Sequence, residues 1–388
     1  MRKRSHAVLW SAAALLASGA AAWPEEAQKP AAGSQGGPFG LEPVIAFYGD
    51  FHDKVPCQTF NATGMTWFEL LQNPVETGAD IIARFSQQPF AIDEFGFDYD
   101  GQIDLKTAEV LRAARKMNPG LKLAVWQMRG PVAPLLAAAY RETVGLVLIE
   151  TYRDLGDAWQ IPFHLQSARL NGLLDRTVIG LGFGSEGNVP WTRTREELDQ
   201  QLRLIRLVAP ESPGVGFFGQ DTLGKISLTA QDVQELCRRF RSIPTDGTGL
   251  KPELLKLGQA FTERYAQPAI FCSPSCVEPN YYPGHLGADG KWADWGQLAR
   301  PVSFRALMMN LGRKDATEVI VRLRNRGPGG QVWAKGIVDI PANSLAVAVL
   351  PVLPGKEWNG WVGSWLMEIE APGCKVETFY ESRFNEPR

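Results

Sequence analysis

Histidine and cysteine are scarce in this chain and neither sign of charge dominates: 388 residues hold 4 His, 5 Cys, and 40 Lys plus Arg against 42 Asp plus Glu. The near balance of charge leaves no basic face to meet phosphates, so nucleic acid is not an expected partner. An odd cysteine count forbids a complete disulfide framework. Cys237 reads as a small buried apolar residue. Cys272 and Cys276 flank Ser-Pro-Ser, where an oxidising compartment would favour a local bridge. A zinc site there would need two more soft ligands, and only His285 is near, so no metal is expected. No Gly-x-Ser-x-Gly elbow occurs, and His6 falls in the N-terminal leader, which argues against a Ser-His-Asp hydrolase. With no Gly-Lys-Ser/Thr loop and no Gly-x-Gly-x-x-Gly opening the first helix, no nucleotide cofactor is expected either. Past the N-terminus no apolar run approaches the ~20 residues of a membrane span.

What is present is an ordinary globular composition, 45% hydrophobic and 21% charged, with 12 Trp, 19 Phe, 39 Gly and 27 Pro. Residues 1–22 carry Arg2, Lys3 and Arg4, then an apolar run from Ala7 to Leu16, then small residues ending Ala20-Ala21-Ala22. That is the pattern of a secretory signal with cleavage near Ala22, and an uncleaved anchor is the alternative. The expected location is the periplasm or the exterior. No Cys follows the apolar run, so a lipid anchor is not expected.

After a linker over 23–40, short apolar runs alternate with helical patterns. The runs are Val44 to Asp50, Phe90 to Phe95, Leu121 to Gln127, Val144 to Tyr152, Thr177 to Gly184 and Gly214 to Gly219. Between them, Leu105 to Met117 is amphipathic, with Asp104 as its cap and Asn118-Pro119-Gly120 as its stop. Thr194 to Glu197 and Thr229 to Asp232 have capping-box spacing. This rhythm implies parallel strands joined by helices, and over 41–271 it suits an α/β (β/α)8 TIM-like barrel, with a doubly wound open sheet as the alternative. Asp80 to Phe85 is a strand or a helix end, and Ala269 to Cys272 is the candidate eighth strand. A Trp- and Gly-rich connector over 272–299 leads to six β-rich runs over 300–388, which read as a small antiparallel β-sandwich.

A barrel binds substrate at the carboxyl ends of its strands, and residues two apart on a strand share a side. Packing Ile45 and Phe47, Phe90 and Ile92, Leu123 and Val125, and Val147 and Ile149 against helices turns Tyr48, Asp50, Asp93, Trp126, Glu150 and Tyr152 to one mouth. Glu94 follows beside them. Carboxylates at several strand ends with aromatic faces between them suit glycosidic-bond cleavage, in which one carboxyl protonates the leaving oxygen and another attacks or activates water. Asp93 or Glu94 with Glu150 is the candidate catalytic pair. Each also has a structural reading: Asp93 as a loop cap, Glu94 in a surface ion pair, Glu150 bonded by Arg153. His52, Gln127, Arg129 and Glu186 are further candidates for substrate contact. Gln220 and Asp221 share that ambiguity, while Trp358, Trp361 and Trp365 are a sugar platform or packing.

At Phe95-Gly96-Phe97-Asp98-Tyr99-Asp100-Gly101-Gln102 the chain resembles the chitinase-like, family 18 glycoside hydrolase signature Asp-x-x-Asp-x-Asp-x-Glu. Asp98 and Asp100 match, whereas Phe95 and Gln102 replace the first Asp and the proton-donating Glu. This register implies a carbohydrate-binding relative without its catalytic acid. More broadly, a leader, a (β/α)8-like domain and a C-terminal sandwich resemble exported bacterial glycoside hydrolases. The expected function is an exported glycoside hydrolase acting on a poly- or oligosaccharide. A non-catalytic carbohydrate-binding protein and a structural surface protein are the alternatives.

Overall fold

The computed structural model describes residues 44–49, 62–66, 70, 73–85, 90–95, 99–128, 130–186, 189–192, 194–221, 227–281, 301–325, 330–355 and 365–380. The leader, the linker, Asp50, His52, Cys57, Arg129, Trp292, Trp295, Trp358 and Trp361 lie outside the described residues.

Parallel strands read as near-continuous apolar runs, and the runs found in the sequence are parallel strands. They are β1 (Val44–Gly49), β3 (Phe90–Phe95), β4 (Leu123–Gln127), β5 (Leu146–Thr151), β6 (Thr177–Glu186) and β8 (Gly214–Asp221). Two more escaped notice: β2 (Ala62–Thr66), and β7 (Val189–Pro190), which pairs antiparallel with β6. In β2 the sequence Ala-Thr-Gly-Met-Thr has one long apolar side chain, too few to mark a run. The sheet order is β1-β8-β6-β5-β4-β3-β2, with every pair along that path parallel.

Helices α1 (Val75–Ala83), α2 (Gln102–Met117), α3 (Pro134–Thr143), α4 (Gln160–Leu170), α5 (Arg195–Val208), α6 (Ala230–Arg239) and α7 (Pro252–Thr262) follow the strands. Asp80 to Phe85 is thus the end of a helix and its exit. Helix α2 starts two residues before the expected cap. Gly101 occupies the cap position, and buried Asp104 stands in the first turn, where its carboxylate accepts the Asp100 amide at 2.7 Å. Both capping boxes are present at α5 and α6.

One face of the parallel sheet packs on the helices: Phe90, Ile92, Leu123, Val125, Val147, Ile149, Ile179, Leu181, Val215 and Phe217 share a core with Leu111, Tyr140, Leu165 and Leu202. The other face gathers Ala91, Ala124, Trp126, Leu148, Tyr152, Val178, Trp191 and Phe218. Every assignment made by strand alternation for Phe90 to Ile92, Leu123 to Trp126 and Val147 to Ile149 agrees with this division.

The remaining named strands form two further sheets. Strands β9 (Ala269–Cys272), β10 (Val277–Tyr281), β11 (Pro301–Asn310), β14 (Ser344–Pro351) and β16 (Lys375–Thr378) form one sheet, and β12 (Ala316–Asn325), β13 (Val332–Ile340) and β15 (Trp365–Glu370) a second. Phe304, Ala306, Met308, Val319, Val321, Leu323, Leu350 and Met367 close the core between them. Three expectations are corrected. Ala269 to Cys272 is not an eighth parallel strand: it pairs antiparallel with β11 and parallel with β16. The start of the connector is β10, antiparallel to β11. Nor are Cys272 and Cys276 bridged. Neither forms a disulfide, and Cys272 turns into the sandwich core and Cys276 into the contact with the helices. Burial pushes the Cys272 thiol up to about 12, which keeps it protonated.

The sandwich meets the α/β part through Trp159, Phe163 and Phe261 on one side and Phe271, Leu307, Met309 and Phe379 on the other. Trp159 stacks on Phe379 with centroids 5.5 Å apart.

Candidate functional site

Strand β5 is buried at every position except Glu150, which is half-buried. Glu150 is the next-to-last residue of the strand, shares its face with Leu148, and stands in register with Gly180 of β6. That places a partly solvated carboxylate at the carboxyl edge of the sheet, on the face turned away from the helices.

Beneath and beside it the space is filled by rings. Gly180, Gly182 and Gly216 leave room for them. A Cβ on Gly182 would come within 2.8 Å of Tyr152 Cβ and 3.0 Å of the Trp191 ring, and one on Gly216 within 2.8 Å of Leu148. The Trp126 indole lies over Gly180, 3.4 Å from where a Cβ would stand, and its N–H donates to the Tyr152 hydroxyl. Tyr152 packs on Trp191 at 5.2 Å and on Phe218 at 5.2 Å, and Trp191 meets Phe218 edge-on at 5.7 Å. Trp126, Tyr152 and Trp191 are all buried, so this group is a floor held by packing rather than an open stacking platform.

A second layer of polar groups, also buried, holds the end of β5. The Thr151 hydroxyl shares a hydrogen bond with His164 Nδ1 at 3.1 Å. Burial first, and then the Arg153 guanidinium, lower the His164 pKa to about 3, so the imidazole is neutral. Arg153 donates to the Tyr152 carbonyl at 2.7 Å and faces Asp157 at 3.9 Å, with both side chains nearly inaccessible.

The other sequence candidates fall as follows. Asp93 stands opposite Thr66 of β2. The register with β4 shifts between Ile92 and Phe95, so Asp93 and Glu94 occupy an irregularity in which three steps of β3 span two of β4. Tyr48 is in register with Phe218 of β8. Glu186 ends β6 opposite Val189. Trp365 opens β15 opposite Asn325, in the sandwich. Gln127 does not join the mouth. It is fully buried, and its side-chain oxygen accepts from Tyr140 of α3 at 2.8 Å because an odd-numbered position of β4 faces the helices. Burial raises the Tyr140 phenol well above its ordinary value and keeps it a donor.

The chitinase-like register finds no support. The strand ends at Phe95, Asp100 has φ of 63° and accepts the Leu135 amide at 2.9 Å, and Gln102 opens a helix. Trp191 is the residue that alternation missed, since it follows β7 rather than ending an apolar run. The signal was Gly180-x-Gly182-x-Gly184: glycines at every second position empty one strand face, and an empty face needs large side chains from elsewhere. Among the described residues no group of His, Cys, Asp and Glu could hold a metal ion, and no helix is long and apolar enough to cross a membrane.

No protein-family model matches the chain, and no curated protein matches it. Among solved structures it is similar to a glucosidase from Croceicoccus marinus, 14% identical, with 72% of this chain and 74% of that one covered and a TM-score of 0.26. A debranching enzyme from Nostoc punctiforme is 11% identical over 72% of this chain and 60% of that one, at a TM-score of 0.27. A family 30 subfamily 8 xylanase from Clostridium acetobutylicum is 11% identical over 72% and 71%, at a TM-score of 0.23. These neighbours are glycoside hydrolases, and no residue role is carried over from them.

Proposed function

We propose that the chain is an exported glycoside hydrolase that cleaves a poly- or oligosaccharide at the carboxyl ends of β3, β4 and β5, with Glu150 and one of Asp93 and Glu94 as its carboxyl pair. The observation that carries this reading is Glu150 itself, the one half-exposed position of an otherwise buried strand, set beside a packed aromatic floor. Strands β3 and β5 flank β4, so at ~4.8 Å per strand their backbones run ~10 Å apart. Leaning side chains can bring that to the ~5 or ~6.5 to 9.5 Å carboxyl separations of retaining and inverting glycosidases. One carboxyl group would protonate the glycosidic oxygen, while its partner attacks the anomeric carbon or takes a proton from water. The sheet order, a cyclic permutation of the chain order, supports a barrel whose seam lies between β1 and β2. The leader supports export, and the sandwich packs against the α/β part.

The test is release of reducing ends or aryl leaving groups from a panel of glycans and aryl glycosides. On a substrate the natural chain cleaves, Glu150→Gln is expected to lose at least about a hundredfold in rate, with the thermal midpoint unmoved. Asp93→Asn and Glu94→Gln then identify the partner. Full activity in Glu150→Gln would end this reading.

A further inference from the structure

Gln201, on the inner face of α5, has both ends of its amide engaged. Its Nε2 donates to the Arg153 carbonyl at 2.9 Å, and its Oε1 accepts from the Thr192 hydroxyl at 2.7 Å. Gln201 and Thr192 are essentially inaccessible. Arg153 is the residue after Tyr152, and Thr192 the residue after Trp191. One side chain therefore ties together the two segments whose preceding residues are the 5.2 Å ring pair of the floor. The tie is completed on the strand side, where the Thr192 amide donates to the Gly182 carbonyl at 3.0 Å and Gly184 to the Thr192 carbonyl at 3.1 Å. Arg153 is itself fixed by its bond to the Tyr152 carbonyl and its approach to Asp157.

A buried amide with both functions satisfied is rigid. Loss of either bond leaves a buried donor or acceptor that must move or find water. An apolar residue would fill the same volume and serve the core of α5 equally well, so packing alone does not require Gln. We propose that Gln201 is a positioning residue that sets the placement of Tyr152 against Trp191, and through Tyr152 the end of β5 that presents Glu150. The catalytic part of this inference rests on the glycosidase reading above. The geometric part does not.

Two readouts separate them. In protein labelled with 5-fluorotryptophan, the Trp191 fluorine resonance is assigned by its disappearance in Trp191→Phe. Gln201→Met, which keeps length and apolar bulk but removes both bonds, is expected to shift or broaden that resonance. Thr192→Val, which removes one bond and disturbs folding least, is expected to do so to a smaller degree, while Thr192→Ser keeps the hydroxyl and leaves the resonance in place. On a cleaved substrate, Gln201→Met is expected to lower kcat by about ten- to a hundredfold, as a misplacement of order 1 Å does, with KM changed less than kcat. An unmoved Trp191 resonance in both Gln201→Met and Thr192→Val overturns the proposal. A moved resonance with unchanged kcat and KM supports the clamp and overturns its catalytic part. If the natural chain cleaves no glycan, the glycosidase reading fails, and the clamp stands or falls on the fluorine spectrum alone.

Discussion

His164 is enclosed on all sides, and its neighbours decide its charge. Inside the folded chain its pKa sits near 3, below the ~6.5 of an exposed imidazole, because burial and the Arg153 cation disfavour protonation. Between those two values the unfolded chain binds a proton that the folded chain does not. Stability therefore falls as pH drops from ~6.5 toward 3 and is unaffected by this group above ~6.5. Urea midpoints measured from pH 7 down to pH 4 should show this decline, and His164→Asn, which keeps a polar group near Nδ1, should flatten it. Equal slopes in the two proteins would assign the dependence to other groups. Alternation could place Trp126, Leu148 and Tyr152 because the first two lie on strands of period two and the third continues that period one residue past β5. The same period turns Gln127 toward the helices, whereas His164, on a helix, was not legible in that way. Each is a polar residue in a buried position, and only its partner, Thr151 or Tyr140, explains it.

Strand β6 shows how an element can be shaped by what it lacks. Its glycines leave a bare strip facing Trp126, Tyr152 and Trp191, so the strand carries the floor without contributing a ring to it on that face. Gly182→Ala sets a methyl group 2.8 Å from Tyr152 Cβ, a distance real Cβ atoms do not adopt, and 3.0 Å from the Trp191 ring, tighter than ordinary contact. It is expected to cost ~1 to 3 kcal/mol as an overpacked core position, read as a fall in the thermal midpoint. An unchanged midpoint would mean that the rings yield more easily than the packing implies. Helix starts were legible in the sequence where a capping box supplies both bonds, as at Thr194 and Glu197, whose amides and side chains reciprocate at 3.1 Å. The irregularity in β3 was not, because no glycine or proline marks it in Phe-Ala-Ile-Asp-Glu-Phe.

Across the described residues, the α/β part and the sandwich meet in an apolar contact. Phe379 lies against Trp159, Phe261 and Phe271 at 5.5, 5.5 and 6.2 Å, so it touches both sides of that contact at once. Phe379→Ala is expected to remove ~2 kcal/mol of buried apolar surface, while Phe379→Leu retains most of it. Guanidinium unfolding of both variants measures the difference, and coincident curves with the natural chain would show the contact to be dispensable. The change of rhythm near Arg300 was visible in the sequence because β-rich runs follow one another from there with no helical pattern between them. The true start of the sandwich at β9 was not, since a four-residue apolar run such as Ala-Ile-Phe-Cys suits a buried parallel strand equally well.

The pairing of β9 with β16 has a consequence in time. Ala269 to Cys272 leaves the ribosome about a hundred residues before Lys375 to Thr378, which lie beside it in parallel register. Until that late strand emerges, the edge of β9 it will cover stays open, and Trp159 waits for Phe379. Contacts this distant along the chain close slowly. The joint between the two halves therefore closes only once that late strand is in place.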